Sequence, residues 1–176
     1  MYDFLTDLEY SMGERERFDI DLLKRVIPDA VSVCKTDVAQ DKKGVDYSVR
    51  LSGGATINID AKTRRSINIV DGSPELALEL WSVVPRNGNA GKAGWTWNTE
   101  TNVDLILYTF PTHLWDRFYL FPFHHLRVAF ITNGKRWFQN YRHSVQKNKG
   151  WDSACLFVPA REVIRAVLEQ MSGRAE

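Results

Sequence analysis

The sequence predicts a mixed α/β fold, a β-sheet flanked by helices, and three observations predict it. A four-residue apolar spacing opens the chain, alternating segments joined by a Gly-Gly turn follow, and a proline-led amphipathic segment closes it. In the opening segment, Tyr2 to Ile27, Phe4, Leu8 and Met12 share one helical face, and Phe18, Leu22 and Val26 share the next. Asp3 suits an N-cap, Gly13 is a weak point, and Pro28 stops the segment. Val31 to Cys34 reads as a short strand. Val45 to Leu51 alternates, with Val45, Tyr47, Val49 and Leu51 on one side, and Ser52-Gly53-Gly54 turns the chain into a returning strand from Ala55 to Ile59. Leu76 to Val84 is a further strand ended by Pro85, and Arg86 to Gly94 is a loop rich in Gly and Asn. Val103 to Phe110 reads as a buried strand. Leu114 to Leu126 is aromatic and fits either period, and Leu126 to Ile131 fits a short strand or a helix end. Cys155 to Pro159 is a late strand, followed by a helix through Met171 with Val163, Val167 and Met171 toward the core.

At 176 residues the chain is expected to form one domain, 1–176, with a substantial core. The 44% apolar and 12% aromatic content excludes a disordered chain. With 23 Lys+Arg against 22 Asp+Glu, the net charge of +1 excludes a globally polybasic binder and leaves local basic patches open. Cys34 and Cys155 are too few for a disulfide framework. The opening MYDFLTDLEY carries acids where a signal peptide needs positive charge. No stretch approaches the roughly 18 apolar residues of a membrane span. A cytoplasmic protein with no membrane partner is the expectation.

One local pattern carries chemistry. Asp46 opens one hairpin strand, and Asp60-Ala61-Lys62 ends the returning strand, so the hairpin can bring the two carboxylates together at one end of the sheet. Residues 60 and 62 share a face. Two such carboxylates repel unless a cation lies between them, and Mg²⁺ takes oxygen ligands of this kind together with phosphate and water. A neighbouring lysine orients or helps deprotonate a water, or stabilises charge building on the phosphate. These are the parts of metal-assisted phosphodiester hydrolysis.

Asp46, the hairpin and Asp60-Ala61-Lys62 resemble the motif of the PD-(D/E)xK nuclease superfamily, the restriction-endonuclease-like fold, with Val45 standing where the motif's proline would be. Downstream, Glu79-Leu80-Trp81-Ser82, Gly94-Trp95, Val103 to Tyr108 and Phe157-Val158-Pro159 look like small phage- and plasmid-type members. The resemblance spans roughly residues 10 to 170, although its specific motifs occupy few of them. It implies a Mg²⁺- or Mn²⁺-dependent endonuclease acting on DNA, with Asp46 and Asp60 on the metal and Lys62 at the water or phosphate. Glu79, placed on a strand expected to neighbour the Asp60 strand, would be a further metal or water ligand. The family often carries an acid on its first helix facing the sheet; Glu9, Glu14 and Glu16 qualify, and Glu16 is preferred.

Basic residues segregate. Arg64 and Arg65 follow Lys62, Lys92 lies in the Gly/Asn loop, and Lys135, Arg136, Arg142, Lys147 and Lys149 form an acid-free run interleaved with Trp137, Phe138 and Tyr141. Such a pattern suits phosphate neutralisation and base stacking. The residues themselves do not separate DNA from RNA, and they leave homodimerisation open. His113, His124, His125 and His143 show no metal-ligand spacing. A protein that keeps the fold but only binds nucleic acid or a host protein is the main alternative. Convergence of Asp46, Asp60, Lys62 and Glu79 separates the two readings.

Overall fold

The structure is a computed structural model. It describes residues 14–41, 43–64, 67–86, 88, 90–110 and 117–173. Glu9 and Arg65, and the opening segment before residue 14 with its Asp3 cap, lie outside the described residues.

The described chain is mixed α/β, with two sheets and four helices. Helix α1 (Glu14–Val26) leads to β1 (Ala30–Lys35), a short helix α2 (Val38–Asp41), and the hairpin β2 (Tyr47–Leu51) and β3 (Thr56–Thr63). Then come β4 (Ile69–Val70), the long β5 (Ser73–Val83), β6 (Lys92–Ala93), β7 (Leu105–Thr109) and β8 (Phe118–Pro122). Helix α3 (Phe123–Asn140), β9 (His143–Lys147), β10 (Asp152–Pro159) and helix α4 (Ala160–Met171) complete it. The aromatic segment that fitted both periods is therefore divided at Pro122, with strand before it and helix after.

The first sheet runs β1-β2-β3-β7-β8. Its pairs are antiparallel except β3 with β7, where Asp60 lies opposite Ile106 and Lys62 opposite Tyr108. The second sheet runs β4-β5-β10-β9, with β6 also on β5. This corrects one expectation: the strand carrying Glu79 does not neighbour the Asp60 strand. It pairs with β10, Glu79 opposite Cys155, in the other sheet. Strand β9 is an edge, and all five of its residues are exposed.

Period-two alternation sorts the first sheet's side chains into two layers. Tyr47, Val49, Ile59, Ala61 and Leu107 face α1 and pack against Leu22, Leu23 and Ile27. Ile106, Tyr108 and Phe121 face the other way, into a core with Leu76, Leu78, Leu156 and Val158 of the second sheet and with α3 and α4. Tyr108 ties the sheets together, its hydroxyl oxygen accepting the Ala77 N–H at 2.8 Å. Within α4, Val163 and Val167 are buried, but Met171 is exposed rather than in the core, because it falls past the last turn that packs. No helix among the described residues is long and apolar enough to cross a membrane.

Candidate functional site

The site grows from the end of the β2–β3 ladder. Ile59 and Ala61 point toward α1, so Asp60 and Lys62 must point the opposite way, toward the second sheet. Asp60 is 3% exposed, and the Lys62 ammonium sits 2.5 Å from its Oδ1. Asp46 immediately precedes β2. Its N–H donates to the Ile59 carbonyl (2.8 Å), and its Oδ2 accepts the Ala61 N–H (2.7 Å). The carboxylate thus supplies one more rung where the β2 main chain has left the ladder, which fixes it beside Asp60. The main chain behind it is pinned as well, since the Thr36 N–H donates to the Asp46 carbonyl (2.9 Å).

Crowding of acids sets the electrostatics. Burial pushes the Asp60 carboxyl up, Lys62 opposes this, and the adjoining Asp46 adds to it, leaving Asp60 at about 7. Asp41, at the end of α2, is also raised, by burial and then by Asp46, with Lys35 and Lys62 acting against the shift. Three carboxyl groups therefore meet around Asp46. Asp41 is the member that strand and hairpin patterns did not single out. Its placement depends on the 41–46 turn, where the Gly44 N–H donates to the Asp41 carbonyl (2.8 Å) and the Val45 N–H to the Gln40 carbonyl (3.1 Å).

Asp41, Asp60 and Lys62 line a cleft of ≈ 410 Å³ between the sheets, together with Lys43, Glu79, Lys92, Trp95 and Phe123, and Asp46 adjoins Asp60 just behind that lining. Glu79 arrives from the opposing sheet. Its Oε2 accepts from the Ser82 hydroxyl (2.7 Å) and the Trp95 N–H (3.2 Å), so it braces the wall of the cleft. That wall needs Gly94: a Cβ there would lie 2.0 Å from the Glu79 carbonyl oxygen, which excludes any side chain. The close approach seats Trp95 with its ring 5.7 Å from the Lys62 ammonium.

Glu16 does not reach this cluster; it pairs with Lys35 at 3.0 Å on the partly exposed side of α1. The helix acid that faces the sheet is Asp19, which is fully buried. It accepts from the Tyr47 hydroxyl (3.1 Å) and lies 3.5 Å from the Arg15 guanidinium, which in turn donates to the Ala61 carbonyl (3.1 Å). Burial raises the Asp19 carboxyl, with Arg15 and Tyr47 opposing the shift. The signal for Asp19 lies in the spacing: with Leu22, Leu23 and Val26 it forms an i, i+3, i+4, i+7 stripe.

The basic residues scatter. Lys92 lines the cleft. Arg64 packs over the Phe157 ring (5.0 Å), as does Arg142 (3.7 Å), whose guanidinium also pairs with the buried Glu75 at 3.0 Å. Arg136 bonds Asn133 on its own helix. Lys135, Lys147 and Lys149 are exposed and stand on α3, β9 and the following turn, apart from the residues that line the cleft. Lys43 lines it and was not singled out by sequence.

Among the described residues no group of three or more His, Cys, Asp or Glu side chains stands ready as a metal cage. The donor chemistry nonetheless fits a hard divalent cation: two adjoining carboxyl groups, one buried and raised in pKa, are the oxygens such an ion takes, and its charge would relieve their repulsion. No protein-family model, curated protein or solved structure matches the chain.

Proposed function

We infer that the protein is a metal-dependent nuclease of the restriction-endonuclease-like class, hydrolysing DNA phosphodiester bonds. The observation that carries this reading is the meeting of Asp46, Asp60 and Lys62 at one strand end, with Asp60 and Lys62 lining a cleft and the Asp60 carboxyl raised to about 7. A mixed sheet with β3 at its centre and α1 on the far face is compatible with that fold.

Asp46 and Asp60 would hold Mg²⁺ or Mn²⁺. Bound there, the ion would polarise the phosphate and lower the pKa of a coordinated water. Asp46 keeps its carboxylate in place through the Ala61 N–H, so ligand position is set before substrate arrives. Lys62, now the counter-ion of Asp60, would donate to a non-bridging phosphate oxygen and stabilise charge building there. Glu79, held by Ser82 and Trp95, would position the wall of the cleft that faces Lys62.

The test is incubation of purified protein with Mg²⁺ or Mn²⁺ and linear, circular and single-stranded DNA, with RNA as a parallel substrate. Wild type is expected to cut DNA. Asp60→Ala and Lys62→Ala are expected to bind it without cutting. Wild-type protein that binds but never cleaves would instead identify a binding module.

A further inference from the structure

The cleft has a second lobe. A concavity of ≈ 340 Å³ adjoins it on the other side of Lys62, lined by Arg15, Thr63, Arg64 and Cys155, and shares Lys62, Glu79 and Trp95 with the first. Each lobe falls within the roughly 300–1,000 Å³ that suits a ligand-sized group. Their junction is the Lys62–Trp95 contact, so the two concavities flank the place where the acids and the lysine meet.

We propose that this two-lobed trough takes an unpaired DNA strand, one nucleotide in each lobe, with the phosphate between them at Lys62 and with Trp95 as the surface on which a base stacks. The proposal rests on the nuclease reading and adds the form of its substrate.

Three observations carry it. Asp60 is 3% exposed at the base of a concavity. A duplex keeps its phosphates on the outside of a rod that is stiff over roughly 150 base pairs. A single strand is narrower and flexible enough to follow a recess of this size along its length. Second, the trough combines apolar and aromatic surface with cations. Trp95 offers ring surface beside Lys43 and Lys92 in the first lobe, and Arg64 lies in the second. Sequence-tolerant single-strand sites are built from this combination. Third, the main chain that carries Trp95 is held in place: the Trp95 backbone N–H donates to Glu79 (3.2 Å), and the Gly94 N–H donates to the Leu80 carbonyl on β5 (3.0 Å). A platform that does not reorganise loses little on binding.

The experiment is fluorescence anisotropy in chelator, where cleavage cannot occur, with a labelled 12-nucleotide DNA single strand and the blunt duplex of the same sequence. The single strand is expected to bind at least tenfold more tightly. Trp95→Ala is expected to weaken single-strand binding roughly tenfold, and Trp95→Phe to restore most of it, since stacking needs a ring and not an indole. Equal affinity for the duplex overturns the proposal, as does a folded Trp95→Ala protein that binds like wild type. Should Trp95→Ala fail to fold, the exposed Lys43→Ala/Lys92→Ala protein carries the test. Its slope of log affinity against log salt should fall by roughly 0.7 for each lysine, and an unchanged slope overturns the proposal. Protein that prefers single strands but cuts nothing with Mg²⁺ or Mn²⁺ supports the trough and overturns the nuclease reading. Protein that cuts duplex as readily as single strands does the reverse.

Discussion

On one face of β3, Ile59 and Ala61 are sealed beneath α1 among Leu22, Leu23 and Leu107; on the other, Asp60 and Lys62 look across a cleft at Glu79. The residues alternate along one strand, and their environments are opposite. The first face gains free energy from each apolar group removed from water. The second gives some back, because it holds the Asp60 carboxyl out of water beside a second acid and raises it to about 7. The strand can carry that cost because its other face is tightly packed.

The largest expected effect separates the two faces by activity. Asp60→Ala and Lys62→Ala should each lower divalent-ion-dependent cleavage by roughly 10²–10³-fold or more, and Asp60→Ala should do so without any fall in urea midpoint at neutral pH. A loss of activity that merely tracks unfolding would erase the distinction. Next comes Ile59→Ala, which should cost about 2–5 kcal/mol in urea denaturation while the molecules that remain folded still cut. An unaltered midpoint would mean that the helix face is not the anchor.

The contrast sharpens with pH. Folded Asp60 keeps its proton up to about 7. Unfolded aspartate releases it near ~3.9. Between those values the folded state binds the extra proton, so the contribution of Asp60 to stability is full below about 4 and lost as pH rises through about 7. In chelator, wild type should therefore lose stability relative to Asp60→Asn across that interval. Adding Mg²⁺ should remove the difference between the two profiles. Parallel profiles in chelator would show that the cleft face bears no such cost. The smallest effect is expected at Glu16→Gln, within about 0.5 kcal/mol and without change in cleavage, because the Glu16–Lys35 pair is partly exposed. A large effect there would mean that α1 reaches the site through Glu16 rather than through Arg15 and Asp19.

What was legible in the sequence was local. The β2–β3 hairpin, its Gly-Gly turn and the shared face of Asp60 and Lys62 follow from a period of two and a short loop, and the structure reproduces them. The final helix follows likewise from its proline start and apolar spacing. Pairings distant in sequence were not legible. Glu79 reaches the cleft from a separate sheet because β5 pairs with β10, more than seventy residues later, and no local pattern encodes that choice. Asp19, unlike Glu16, is an acid on a buried stripe, and it makes sense there only because Tyr47 and Arg15 stand beside it, one from a strand distant in sequence. Arg142 read as free for phosphate because its partner Glu75 lies on another strand.

The acid-free run also acquires a different meaning from where it lies. Among the described residues, strand β9 is the outer margin of the second sheet, with no strand paired along its outer side. Val145 and Trp151 are exposed beside it, which makes that margin a seam along which copies of the chain would zip together. Lys147 and Lys149 are exposed there and would set like charges against each other if two such margins approached, the arrangement that keeps edge strands apart. Neutralising both lysines should leave the thermal midpoint nearly unchanged and bring slow, concentration-dependent scattering on storage.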